Sequence, residues 1–145
     1  MNYIHIPFSQ QSTNKWSGGT TTELYIYPEN ANYKALDFDF RISTATVEVE
    51  ESTFTPLKDI NRKLMVLEGN TTLYHLNEHS KELNKFDIDT FSGNWQTKSI
   101  GKCRDFNLMT SRHCNGNIEA VSFNGNQVIE TQGCNFIIFL SILEN

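Results

Sequence analysis

The chain has 145 residues, with 12 Lys or Arg against 17 Asp or Glu, a net charge of −5, 38% hydrophobic residues and 20% charged residues. That length fits one domain, and the balance is too apolar for a disordered chain. A phosphate backbone is held by clustered Lys and Arg, so scattered bases outnumbered by acids exclude nucleic acid, and equally an anionic membrane surface, as expected partners.

The opening run Met1-Asn2-Tyr3-Ile4-His5-Ile6-Pro7 has no basic stretch ahead of an apolar one. A secretory leader is therefore not expected, and the cytoplasm is the expected location. Residues 20–27 read as a strand, with Thr22, Leu24 and Ile26 on one face and Thr21, Glu23, Tyr25 and Tyr27 on the other. Residues 38–49 form a second strand region. Phe38, Phe40 and Ile42 share one face, and Asp39, Arg41 and Ser43 the opposite one. Pro56 marks residues 54–60 as a connector. Residues 61–67 are a third strand, Glu68-Gly69-Asn70 a hairpin loop, residues 71–76 the returning strand and residues 77–85 a polar loop. Residues 95–100 and 103–110 are two more strands, turning at Gly101. Asn124-Gly125 predicts a hairpin between residues 118–123 and 126–130. The apolar run 134–143 predicts a central strand buried on both sides, and the longest apolar stretch, Phe136 to Leu140, is far too short to span a bilayer, which takes about 20 residues. The sum is about ten strands with little helix, the pattern of an antiparallel β-barrel or sandwich. No repeat or linker divides the chain, so residues 1–145 read as a single domain.

Cys103, Cys114 and Cys134 are odd in number and form no C-x-x-C pair. Three reduced thiols are expected rather than a disulfide framework or zinc knuckle.

Chemistry could sit in three places. Gly18-Gly19 allows close backbone approach ahead of three threonines and Glu23, but no Gly-Lys-Ser/Thr follows, so this is a turn or a ligand lip and not a phosphate loop. Arg41, Ser43, Arg62, Asp105 and Asn107 are polar positions on strands that otherwise look buried. They are a solvated outer face, or a structural Arg–Asp pair, or a barrel interior that needs a ligand, water or ion pairs to satisfy it. The histidines are His5, His75, His79 and His113. No H-x-H pair exists, and the four-residue spacing of His75 and His79 suits a metal on a helix, whereas here it straddles a strand end and a loop. No metal and no cofactor are therefore expected. G-x-S-x-G is absent, and His113 beside Cys114 points the other way on an extended segment.

Five motifs then occur in order: Trp16-Ser-Gly-Gly-Thr-Thr-Thr-Glu-Leu-Tyr-Ile-Tyr-Pro28, Phe40-Arg-Ile-Ser-Thr-Ala-Thr-Val47, Arg62-Lys-Leu-Met-Val-Leu-Glu-Gly69, Phe91-Ser-Gly-Asn-Trp95 and Arg104-Asp-Phe-Asn-Leu-Met109. Together the chain resembles the HutD/Ves family of small cupin-like proteins. One departure is visible: many members read W-x-N-G-G-G, whereas Trp16 here is followed by Ser17-Gly18-Gly19. The resemblance implies a cupin-like (RmlC-like) β-barrel, sometimes described as a bicupin. For HutD members it implies a role beside histidine utilisation, limiting pathway expression by sensing an intermediate such as a formylated or free dicarboxylate. No enzyme activity is firmly attached to the family. The pocket residues it implies are Trp16, Thr22, Glu23, Arg41, Arg62, Asp105 and Asn107.

The expected function is a metal-free small-molecule binding protein for a polar or anionic, amino-acid-derived metabolite, with a regulatory or metabolic-safeguard role and no catalytic residues. The alternative is a metal-independent cupin enzyme of the isomerase or epimerase kind, with Glu23 or Asp105 as base. Exposed sheet edges would also allow a homodimer.

Overall fold

The computed structural model describes residues 3–131 and 133–142. A 3-10 turn, Phe8–Gln10, precedes ten strands: β1 (Ser12–Trp16), β2 (Gly19–Tyr27), β3 (Phe40–Val47), β4 (Glu51–Thr53), β5 (Asn61–Gly69), β6 (Thr71–His75), β7 (Ser80–Leu83), β8 (Ile88–Ser92), β9 (Thr97–Ile100) and β10 (Cys103–Thr110). They pair antiparallel throughout, in a six-stranded sheet of order β1-β2-β3-β10-β5-β8 and a four-stranded sheet of order β4-β9-β6-β7. The expected all-β architecture is thus present. Among the described residues no helix is long and apolar enough to cross a membrane.

Alternation along β3, β5 and β10 divides the large sheet into two faces. Val47, Leu64, Val66, Phe91 and Cys103 point inward and meet Leu73 and Leu83 of the small sheet in the core between the sheets. Phe40, Ile42, Met65, Leu67 and Leu108 point the other way and form a second cluster with Ile118. A third cluster, Phe38, Leu57, Ile60 and Met109 with Ile26, packs under the connectors at one end. At the β1–β2 turn, a side chain on Gly19 would collide with the Thr46 carbonyl oxygen, which explains the glycine there.

Several expectations are corrected. The segment at Gly69 is no hairpin, because both edges of β5 are already filled by β10 and β8. The chain therefore passes to the other sheet as β6. The polar stretch 77–85 contains β7, an edge strand that buries only Leu83 and so carries little hydrophobic signal. β1, β4 and β8 were not visible either; β1 is exposed along its whole length. No strands flank Asn124-Gly125, although Gly125 does take positive φ. The described part of the apolar run, residues 134–142, pairs with no strand, and Leu143 lies outside the described residues. The central position this run was expected to fill belongs to β10. Its Phe136 instead rests on Tyr27 and Phe40, at ring distances of 4.7 and 5.1 Å.

All three cysteines are free: Cys103 is buried, Cys114 partly buried and Cys134 exposed. Burial pushes the Cys103 thiol up to about 12, with Asp105 adding to it. Since the thiolate is the nucleophile, Cys134 should react first with a thiol reagent in native protein, while Cys103 should react only on unfolding. Titration with and without denaturant checks this, and three equivalents in denaturant are expected. Fewer than three would indicate a disulfide.

Candidate functional site

Register brings the polar positions together. Met109 of β10 lies opposite Arg41 of β3 on one side and Arg62 of β5 on the other. The two arginines therefore stand on the same face, two strand spacings apart, or roughly 9–10 Å between backbones. Asn107 and Asp105 follow on that face at two-residue steps, opposite Ser43 and Ala45 of β3. The face looks toward the small sheet, so these groups occupy the barrel interior.

Arg41 is 4% exposed. Its Nε donates to Glu23 Oε2 at 2.8 Å, and its guanidinium lies 4.0 Å from the Tyr33 ring centroid. Glu23 is the more open partner, with 30% of its side chain exposed. Arg62 is 8% exposed and lies against the rings of Phe54 and Phe91, 5.1 Å from each centroid. Its Nη2 donates to Asn107 Oδ1 at 3.3 Å, and Asn107 Nδ2 in turn donates to Asp105 Oδ1. Arg62 Nε has no hydrogen-bond partner among the described residues, and no carboxylate there comes within 4.0 Å of the guanidinium.

Burial dominates the electrostatics. It pushes the Asp105 carboxyl up to about 7, against the opposing pull of Arg62, Asn107 and the Ala45 backbone N–H. It also brings Arg62 down to about 10, helped by the like charge of Arg41 and opposed by Tyr33 and Asp105. At neutral pH the cluster therefore holds two guanidinium cations, one of them paired with Glu23, and a carboxyl poised between its two forms.

Five of the seven expected pocket residues converge here: Glu23, Arg41, Arg62, Asp105 and Asn107. Thr22 does not, because it is next to Glu23 on a strand and so faces away. Its hydroxyl lies 2.8 Å from that of Thr13 on an exposed surface. Trp16 is also apart. It pairs with Gly19, four residues and roughly 13 Å along β2 from Glu23. Its Nε1 donates to Thr21 Oγ1 at 3.1 Å, and it borders a separate cleft of about 510 Å³ with Gly18, Val49 and Thr53. Arg62 borders a cleft of about 390 Å³ with Phe91, Trp95 and Leu108. Tyr33, Phe54 and Phe91, which flank the two guanidinium groups, were not among the expected pocket residues; the first two come from connectors, where no periodicity marks them. The histidine spacing argument also needs correction: the turn between β6 and β7 sets His75 and His79 side by side without a helix.

The HutD family model matches residues 9–141. Among solved structures, a conserved protein of unknown function from Pseudomonas aeruginosa PAO1 is 26% identical with a TM-score of 0.63, over 73% of this chain and 56% of that one. HutD from Pseudomonas fluorescens SBW25, in a formate condition, is 25% identical with a TM-score of 0.62, over 72% and 58%. This chain thus covers little more than half the length of either. Ectoine synthase from P. lautus shares the cupin-like fold alone, at 8% identity and a TM-score of 0.56, over 68% and 67%. No curated protein matches the sequence.

Proposed function

The chain belongs to the HutD family, and from that premise we propose that it binds a small carboxylate derived from an amino acid in the barrel interior, between Arg41 and Arg62, with no metal at the arginines. Binding would serve a regulatory or metabolic-safeguard role in histidine utilisation in the cytoplasm. The observation that carries the reading is Arg62: a buried guanidinium with an unused Nε and no carboxylate within 4.0 Å among the described residues. A buried cation is stable when an anion is paired with it. The planar fork of arginine matches a carboxylate in two parallel hydrogen bonds. Asn107, itself bonded to Asp105, holds one side of that fork, and the Phe54 and Phe91 rings lie against it.

A thermal-shift screen tests this with formate, glutamate, formylglutamate, formiminoglutamate, urocanate and histidine. At least one carboxylate should raise the melting temperature, and its neutral amide should not. A ligand at one hundred times its Kd adds about 2.7 kcal/mol by mass action. No response to any of them would sink the reading.

One observation favours a second reading, acid–base catalysis at the same site: Asp105 titrates near the pH at which a general acid or base works best. Following the bound ligand by NMR separates the two. Chemical change that stops in Asp105→Asn would favour the enzyme, and an unchanged ligand would favour binding.

A further inference from the structure

We propose that His75, His79 and Asp89 form a site for a divalent transition metal, with zinc the best match, at the seam between the two sheets. This goes beyond the carboxylate-binding reading, which uses none of these residues. Their ligand atoms all lie within 4.8 Å of one another.

The fold builds the cluster from three directions. β6 and β7 pair from Thr71–Leu83 to Tyr74–Ser80, and beyond that last pair the His75 N–H donates to the His79 carbonyl oxygen at 3.0 Å. Residues facing each other across an antiparallel pair project to the same side. The two imidazoles accordingly lie with ring centroids 4.6 Å apart. Asp89 arrives from β8, the edge strand of the other sheet. Its Oδ2 is 2.8 Å from His75 Nε2 and its Oδ1 2.7 Å from His79 Nε2. An ion here would therefore clip the two sheets together where the β6–β7 turn meets β8.

Three features point to a cation. Asp89 is 3% exposed, and among the described residues no Lys or Arg pairs with it; its partners are the two imidazoles. A buried carboxylate calls for positive charge, and a metal ion held by both imidazoles would supply it. Both histidines also present the same atom, Nε2, to one point, and two imidazoles with one carboxylate are a common zinc ligand set. Finally, the supporting shell is in place. Thr97 Oγ1 lies 2.7 Å from His75 Nδ1 and can accept from that nitrogen, which leaves Nε2 free to bind a metal. Phe91 and Trp95 wall the site, at 4.6 and 5.5 Å from the His75 ring. The His79 side chain is 42% exposed, which leaves an entry path and a side open for a water ligand. Zinc bonds of about 2.0–2.1 Å in tetrahedral geometry set ligand atoms about 3.3 Å apart. The two imidazole–carboxylate contacts, at 2.7 and 2.8 Å, are shorter than that and the cluster as a whole lies within 4.8 Å, so His79, at the turn, has only a small adjustment to make.

The test uses tag-free protein stripped with chelator and titrated with zinc, read by calorimetry and by melting temperature. One zinc per chain is expected, with a higher melting temperature. His79→Ala, whose side chain lies at the surface and is removable without a core cavity, should bind at least about tenfold more weakly, since even partners behind the ligands are worth 10–100-fold. Asp89→Asn should do the same if it folds by circular dichroism. Cobalt in place of zinc should give the visible bands of a four-coordinate nitrogen–oxygen site. Absence of zinc binding in the wild-type chain would overturn the proposal. So would binding of undiminished affinity in His79→Ala, which would place the ion on other groups such as His5, His113 or Cys134.

Discussion

Replacing Arg62 by Met should remove the response to the best carboxylate ligand while leaving the folded protein as stable as before or more so. The two halves of this expectation have one cause. Arg62 is buried with its charge facing two aromatic rings and an amide oxygen, and no carboxylate is within 4.0 Å among the described residues. Methionine keeps an unbranched apolar stem against Phe54 and Phe91 and removes a guanidinium whose desolvation already lowers its pKa to about 10. The empty protein therefore loses little. The ligand loses its charged fork, and truncating one partner of a buried charge pair costs about 2–5 kcal/mol, or roughly 30- to several-thousand-fold in Kd. Arg41→Met should behave differently in the empty protein, because it strands Glu23. Glu23 is partly open to water, so that loss should be modest. Calorimetric titration with the screened ligand gives the binding half, and urea unfolding gives the stability half. A Kd for Arg62→Met within about threefold of wild type would show that Arg62 does not touch the ligand.

What could be read from the chain alone follows from the period of a strand. Phe40 and Ile42 against Arg41 and Ser43, or Leu108 against Asn107 and Met109, are separated by alternation, and the structure puts each set on its own face. The same rule, applied strictly, separates Thr22 from Glu23, so grouping them in one pocket set the family motif above the geometry. What was not legible depended on partners distant in sequence. β1 and β7 are polar edge strands whose pairing, not composition, makes them strands. The run 134–142 has the composition of a buried strand, but composition does not make a strand without a pairing partner, and its Phe136 packs on Tyr27 and Phe40 instead. The four-residue spacing of the histidine pair is a helical repeat, yet four residues also spans a tight turn between antiparallel strands. Asp89 gave no signal at all, since only the meeting of two sheets brings it to the histidines.

Asp105→Asn should stabilise the protein most at pH 8 and above, less than half as much at pH 5, and hardly at all below about pH 4. The folded carboxyl is pushed up to about 7 from an ordinary 3.8, chiefly by burial. In the unfolded chain it ionises near the ordinary value. Between these two points the folded protein holds a proton that the unfolded chain has released. Stability from this group is therefore fully present below about 3.8, falls as pH rises and levels off above about 7. A gap of about three pH units corresponds to an upper limit near 4 kcal/mol, at about 1.4 kcal/mol for each. Asparagine cannot ionise, and its side-chain oxygen can still accept from Asn107, so the variant escapes the loss. Urea unfolding at pH 5, 6, 7 and 8 should show a difference that grows with pH and flattens above 7. Ligand binding adds an independent check. An anion beside Arg62 disfavours a second negative charge on Asp105, so wild-type affinity should weaken as pH passes about 7, while affinity in Asp105→Asn should stay level. A stability difference that does not change across this range would mean that Asp105 is ionised throughout, its charge balanced by Arg62, which would then not be free for a bound carboxylate.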